Sequence, residues 1–252
     1  DAQGLTVRWG VVDFLLERSL ADAPLGDYFH RCDRVSGAGE LVVFPAGNLD
    51  GEYADKLARI DLEEAPQAHD SGLWKLLARV REELKPQWIL LDARTGISEP
   101  AGQLLSGIAH LHVLLGTPQE QSWQGLNLVL DRLGKERVRA GRPQAELLLV
   151  QAMVPTGEPG KAAKAAFFAR AEEEFDARYY AADEGDADTN DRFWTLGDKG
   201  SQDAPHASMP VDYEVKLASF GDIGEVADLL CSGVYPPIAE RIASRFLTEP
   251  EA

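Results

Sequence analysis

Short apolar runs alternate with helical patterns along this chain, and that alternation limits the folds open to it. Runs typical of strands cover residues 41–44, 88–91, 111–115, 146–150 with 153–154 trailing, and more weakly 213–217. Between them apolar residues recur at helical spacing, as at Leu73, Leu76, Leu77, Val80 and Leu84. Because parallel strands need crossover connections, this order predicts an α/β fold with three αβα layers and a mostly parallel sheet.

Further predicted helices supply the crossovers. One spans 121–133, and another begins at Pro237, a residue suited to the first helical turn. A third presents a single apolar face made of Phe168, Ala171, Phe175 and Tyr179. The segment 181–208 interrupts the pattern because it is rich in Asp, Gly, Ser and Asn. We expect it to be an exposed acidic insertion in a single domain over 1–252.

A negative balance of charge argues against one class of function. The 252 residues carry a formal net charge of -17, which repels phosphate backbones, so strong nucleic-acid binding by this chain is not expected. The most basic segment, 132–142, is more simply the solvated end of a helix. No stretch approaches the roughly 18 apolar residues of a membrane span, and we expect a cytoplasmic protein without a transmembrane segment. Cys32 and Cys231 fit buried thiols better than a disulfide or a zinc site.

The apolar run 88–91 ends on Asp92 and turns at once into a polar loop. In a parallel sheet covered on both faces, an ionised group is tolerated only at the carboxyl end of a strand, where loops and ligands meet. Asp92 stands where nucleotide-binding α/β proteins hold Mg²⁺ and its waters. A plain strand terminus gives the same pattern.

Other chemical signatures fail in this sequence. The phosphate-binding GxxxxGK[ST] loop is absent, since Gly160-Lys161 is followed by Ala162 and Pro155 takes the place of the first glycine. The sequence contains no GxSxG and no HExxH. His110 and His112 would share one side of a strand, but without a third ligand they are more simply structural.

Several segments, taken in chain order, resemble the motifs of one family. Residues 88–98 are similar to the hhhhD-[ST]-R-T-G-h-S segment of the MinD/ParA-like P-loop ATPases, in the branch whose phosphate loop reads KGGVGRT. The further matches are 1–6 with the end of the switch segment, 10–15 with G-h-h-D-h-L, 41–47 with L-h-h-L-P-A-G, 114–122 with h-h-x-T-x-N-E-Q-S, and 209–212 with h-P-x-D. The resemblance covers nearly the whole chain.

This resemblance implies a P-loop NTPase fold of the SIMIBI-like type, with ATP and Mg²⁺ as ligands. Asp92 would be the Walker B acid that contacts Mg²⁺ through water. Asp1 would lie near the switch that senses the γ-phosphate, so these two are the catalytic candidates. Thr95 and Gly96 would belong to the loop beside that phosphate.

The same resemblance implies which residues would contact the base of the nucleotide. Pro210, Val211 and Asp212 would pass close to the adenine, as the family's loop does. A turn before a strand explains Pro210 and Asp212 equally well. Gln151 stands at the strand end where relatives hold the base, although many of them use Asn there.

One part of the family pattern does not occur in the sequence. In the family, the phosphate loop and the first two strands precede the switch segment, and this sequence begins inside that segment. We therefore expect an upstream stretch of roughly 35 to 45 residues, about one βαβ unit. Its loop would supply the backbone N–H groups and the Lys that bind the phosphates. Without its N-terminal strand and P-loop, the chain is expected to bind ATP poorly and to hydrolyse none.

Two classes of function stay open. The first is an ATPase switch whose MgATP-dependent homodimer controls a protein partner, as the resemblance implies. The second is a partner-binding module that keeps the fold and has lost the chemistry, a pseudo-ATPase. The departures from the family motifs at Gln3, Gly116 and Gln119 favour the second class. Fold alone cannot decide between them.

Overall fold

The computed structural model describes residues 9–16, 23–32, 39–48, 50–60, 71–93, 107–139, 141, 144–181 and 194–246. The chain divides into two compact units, Asp1–Ile108 and Ala109–Ala252. Compact units of this kind are compatible with one domain or with two, so the single domain over 1–252 stays a prediction. No helix in the described ranges is long and apolar enough to cross a membrane.

The described part of the first unit contains two short strands and three α-helices. The strands are β1 (His30–Cys32) and β2 (Leu41–Val43), which pair antiparallel with His30 opposite Val43. The helices are α1 (Val11–Leu16), α2 (Tyr53–Ala58) and α3 (Gly72–Glu83), and a 3-10 helix covers Leu25–Tyr28.

Helix α3 confirms the prediction made from the apolar stripe at 73–84. Ser71 caps its start, because the Ser71 hydroxyl accepts a hydrogen bond from a first-turn N–H at 3.1 Å. Leu76 and Val80 lie on its inner face and pack with Leu25 to form the buried core of this unit. The helical spacing of the sequence therefore identified the face that is buried.

Two expectations for the first unit are wrong. Residues 88–91 form no strand, and Leu90 is 83 % exposed. A strand needs a neighbour for its backbone groups, and no described strand pairs with this run. The sheet of this unit is also antiparallel rather than parallel. Its connection, 33–40, is shorter than the about twelve residues that a parallel crossover requires.

The second unit is built on a parallel sheet of three strands. They are β3 (Leu111–Gly116), β4 (Glu146–Val154) and β5 (Met209–Asp212), in the order β3-β4-β5. Leu111 pairs with Glu146, and the register runs without interruption to Gly116 opposite Gln151. The strands predicted at 111–115 and 146–150 are confirmed.

Helices flank this sheet and give the unit its mixed α/β character. They are α4 (Glu120–Leu133), α5 (Lys135–Arg139), α6 (Gly157–Arg178), α7 (Ala227–Leu230) and α8 (Tyr235–Ser244), with 3-10 helices at Leu196–Gly200, Val215–Ala218 and Ile223–Val226. The core lies between α4, α6 and the sheet, where the rings of Trp123 and Phe167 are 4.8 Å apart and both side chains are almost fully buried. A parallel sheet flanked by helices is the part of the predicted fold class that the structure confirms.

Two details of the predicted second unit are wrong. The helical spacing predicts that Phe168 lies on the buried face of α6, but it is 43 % exposed, and its neighbour Phe167 is buried instead. The last strand was placed at 213–217, but it lies at Met209–Asp212 and a 3-10 helix follows it. Pro210 is tolerated in this strand because β5 is at the edge of the sheet, where a missing N–H costs no ladder bond.

The segment 181–208 is only partly exposed. Residues 182–193 lie outside the described ranges, but Ala204, Pro205 and His206 are buried. The Tyr180 hydroxyl and His206 Nδ1 are hydrogen-bonded, which ties this stretch to the end of α6. The expectation of an exposed insertion therefore fails for residues 204–206, because aromatic packing and a buried hydrogen bond hold them against the core.

The buried His112 predicts a pH dependence of stability. It is 9 % exposed, its Nε2 has no hydrogen-bond partner among the described residues, and burial, aided by Arg137, lowers its pKa to about 4. In the unfolded chain the pKa of this histidine is about 6.5. The folded protein, in which His112 is neutral, therefore has its full stability above pH 6.5 and loses stability as the pH falls toward 4. We expect the loss to be on the order of 3 kcal/mol.

A comparison with His112→Leu isolates this contribution. Urea unfolding of both proteins between pH 7.5 and pH 4 measures the difference in their free energies of unfolding. That difference should shift in favour of the leucine variant as the pH falls, since leucine does not titrate. Two curves that stay parallel over the whole range would contradict the assignment to His112.

Candidate functional site

Polar and loop-forming residues meet where the three parallel strands of the second unit end. Gln151 lies opposite Gly116 on β3 and opposite Pro210 on β5, and Val154 lies opposite Asp212. The carboxyl ends of parallel strands share one edge of a sheet, which is where α/β proteins bind ligands. We call this the carboxyl edge. It brings together the predicted site residues Gln151, Pro210, Val211 and Asp212.

At this edge the side chain of Gln151 has a structural role. Its side chain is 1 % exposed, and its amide Nε2 donates a hydrogen bond to the carbonyl oxygen of Ala163 on α6 at 3.3 Å. Burying an amide is tolerated only when it is hydrogen-bonded, and this contact provides a partner. The side chain thus braces α6 against β4, and holding a base would require it to leave that position.

Asp212 forms an ion pair that spans the edge. Its carboxylate lies 3.0 Å from Lys164 Nζ on α6, and the two side chains are 50 % and 41 % exposed. An ion pair this exposed contributes little to stability, so its removal is not expected to unfold the protein. Both charges remain accessible to solvent at the end of the sheet. The pair offers one anionic and one cationic group to a polar ligand.

A tight turn joins β4 to α6 at the same edge. A Cβ at Gly160 would lie 1.9 Å from the carbonyl oxygen of Pro155, so only glycine allows this close approach. Gly157 has a φ of +74°, in the left-handed region that glycine adopts readily. The Gly160-Lys161 pair fails the spacing of a P-loop, and the structure explains its glycine by this turn. Lys161 pairs with Glu158 at 2.6 Å.

The end of β3 shows why the sequence departs from the family motif at Gly116. A Cβ at Gly116 would lie 2.6 Å from Leu126 of α4 and 3.2 Å from Phe167 of α6. The next residue, Thr117, donates its N–H to the Ser122 hydroxyl at 3.0 Å, which closes the loop into α4. Sequence analysis did not single out Ser122 as a loop-closing residue, although its place as the second residue of the helix predicted at 121–133 was visible.

The remaining predicted site residues belong to the first unit. Asp92 is exposed and forms no hydrogen bond or ion pair with any residue in the described ranges. Asp1, Thr95 and Gly96 lie outside those ranges. The structure therefore brings together the base-side candidates of the second unit and leaves the phosphate-side candidates as predictions.

Two motifs of the resemblance meet in the first unit. The N–H groups of Val11 and Val12 donate to the carbonyl oxygens of Pro45 and Ala46 at 2.9 and 2.8 Å. A Cβ at Gly10 would lie 2.4 Å from Gly47, so the two backbones are in direct contact. The segments 10–15 and 41–47 thus pack on each other through small residues.

A buried acid supports this contact. Asp13 is 4 % exposed, accepts the N–H of Gly10 at 2.9 Å and lies 3.2 Å from Lys56 Nζ. The hydrogen bond to Asp13 raises the pKa of Lys56. Sequence analysis included Asp13 only as the acid of the G-h-h-D-h-L match, and it passed over Lys56.

No family model, curated protein or solved structure matches the chain. Any assignment of function therefore rests on the arrangement of its own residues. In the described ranges, no group of three or more His, Cys, Asp or Glu side chains is placed to hold a metal ion.

Two glycines in helices of the second unit predict opposite effects on stability. At Gly160 the added methyl of Gly160→Ala meets the carbonyl of Pro155, so the turn at the carboxyl edge must open, at a cost of about 1–3 kcal/mol. At Gly125 on α4 the space is empty, so Gly125→Ala should stabilise the protein by about 0.5–1 kcal/mol. Urea unfolding of the two variants measures both effects, and two changes of the same sign would contradict the packing described here.

Proposed function

We propose that this chain belongs to an ATP-binding and ATP-hydrolysing switch of the MinD/ParA type. In this proposal MgATP binds at the carboxyl edge, and nucleotide-dependent homodimerisation controls a protein partner. The observation that carries it is the meeting of Gly116, Gln151 and Pro210 in one register at the strand ends. These residues come from three segments that are distant in sequence, and the family resemblance assigns the last two to the base.

The open edge of β3 supports the same proposal. In the described ranges β3 pairs only with β4, and Val113 and Leu115 are 38 % and 68 % exposed. Apart from the buried His112, the strand Leu111–Gly116 is apolar, with no Lys, Pro or bulge, although natural edge strands carry such devices to prevent pairing. An unprotected edge of this kind suits a further parallel strand. The strand expected to carry the phosphate loop would occupy it.

The carboxylate of Asp92 is a chemically suitable ligand for Mg²⁺ and its waters. Mg²⁺ prefers oxygen ligands and keeps several of its waters, and the exposed Asp92 carboxylate has no described partner to displace. Bound Mg²⁺ would neutralise the charge that develops on the phosphates during transfer. The resemblance makes Asp92 the candidate for orienting the waters of the metal, and it makes Asp1, Thr95 and Gly96 the candidates for the γ-phosphate. Catalysis would thus depend on positioning and not on a strong base.

The catalytically inactive partner-binding module is the second candidate. It is favoured by Gln151, whose amide is tied to α6, and by Asp212, which already has Lys164 as a partner. In a module without nucleotide, both side chains would have the purely structural roles that their contacts give them. The two candidates differ in ATP binding by the full-length protein.

ATP turnover by the full-length protein tests the role of Asp92. We expect Asp92→Ala to reduce the turnover rate on the order of a hundredfold, because the metal loses its oriented waters. Asp228→Ala is the matched control, since Asp228 is an exposed acid in the second unit, away from every candidate residue in the sequence. Phosphate release measured at saturating MgATP gives the rates of all three proteins.

The outcomes separate the two candidates. Equal rates for the parent and the Asp92 variant would remove Asp92 from the mechanism. A parent protein that is folded and neither binds nor hydrolyses ATP would reject the switch in favour of the partner-binding module.

A further inference from the structure

A β-bulge at the carboxyl edge places one residue that the proposed function has not used. Gln151 pairs with Pro210 and Val154 pairs with Asp212, so Ala152 and Met153 on β4 together lie opposite the single residue Val211 on β5. Two residues opposite one define a bulge. Bulges of this kind occur often beside active sites, where they redirect a side chain.

Met153 has an unfavourable backbone conformation in this bulge. Its φ is +57°, in the left-handed region where a Cβ crowds the backbone. Its side chain is 64 % exposed, so burial offers little to offset that strain. Strain of this kind persists where the surrounding structure imposes it, and it clusters at ligand-binding sites. The stability of the fold gives no reason for this strained conformation of Met153.

The bulge changes what the edge presents to solvent. In an uninterrupted strand Met153 would follow the alternation of β4 and lie on the same face as Gln151, which is 1 % exposed. With the bulge, Val154 takes a buried position at 1 % exposure and Met153 faces solvent opposite Val211. The N–H of Tyr213 donates to the carbonyl of Val154 at 2.8 Å, so the two strands are hydrogen-bonded again after the bulge.

We propose that Met153 is a positioning residue that packs against the base of a nucleotide bound at the carboxyl edge. This inference rests on the proposed function and adds a residue to it. The side chain lies opposite the middle of the segment Pro210–Asp212, which the resemblance places beside adenine. A thioether is polarisable and makes favourable contacts with aromatic rings, so methionine suits the face of a purine. Gln151 then supports the strand beneath the contact instead of holding the base.

Two substitutions at this position separate base contact from backbone strain. Met153→Gly removes the side chain and relieves the strain, since glycine adopts a positive φ readily. Met153→Leu keeps an apolar side chain of similar volume and keeps the strain. Full-length protein is titrated with MgATP and, as a base-free probe, with magnesium tripolyphosphate, and the melting temperature of each variant is measured.

We expect Met153→Gly to weaken MgATP binding about five- to tenfold, to leave tripolyphosphate binding unchanged and to raise the melting temperature. Met153→Leu should bind MgATP within about threefold of the parent. A purely structural role would instead lower the melting temperature of the glycine variant and weaken both ligands together. Unchanged MgATP affinity in the glycine variant would also overturn the proposal.

Failure of the proposed function gives a different result. In that case the folded parent protein binds neither MgATP nor tripolyphosphate, and both proposals fall together. If the parent binds MgATP and only the variants contradict the expectation, the switch remains and the role of Met153 alone is rejected.

Discussion

The parallel pairing of β3 with β4 is the constraint on which the second unit depends. Its register is uninterrupted from Leu111 opposite Glu146 to Gly116 opposite Gln151, so both strands end at the same level. Parallel neighbours require a crossover, and α4 and α5 provide it between β3 and β4. The shared surface of the carboxyl edge begins with this arrangement, because loops that leave parallel strands at one level lie next to each other.

The elements that sequence analysis identified are those whose side chains carry a period. Helix α3 and strand β4 were found from apolar spacing, since burial against a core is what fixes that spacing. The run 88–91 was misjudged because the same apolar pattern describes a strand only when a neighbour pairs with its backbone. Periodicity reports burial, and it carries no information on which strand lies alongside.

The position of strand β5 was predicted wrongly for a second reason. Pro210 suggested a loop, and the exposed edge position that permits a proline in a strand cannot be seen before the order of the strands is known. The same limit applied to the site. The family motifs selected Gln151 and the segment Pro210–Asp212, which do meet, but the bulge that turns Met153 outward arises from a register shift between two strands. No single segment of the sequence encodes that shift.

Close packing against the Cα of a glycine explains why glycines recur at these points. Gly10 lies against Gly47, Gly116 against α4 and α6, and Gly160 against Pro155. In each case a methyl group would meet atoms that cannot all move, so the contact selects glycine whether or not a ligand binds nearby. A motif glycine is therefore weak evidence for a nucleotide.

Strained and exposed residues need a different explanation, because folding alone does not favour them. The unpaired apolar edge of β3 and the left-handed Met153 both cost stability in the described part of the protein. Each lies on the unit that also holds the paired ends of β4 and β5. A protein without a ligand at this edge would gain stability from a protected edge strand and a relaxed bulge.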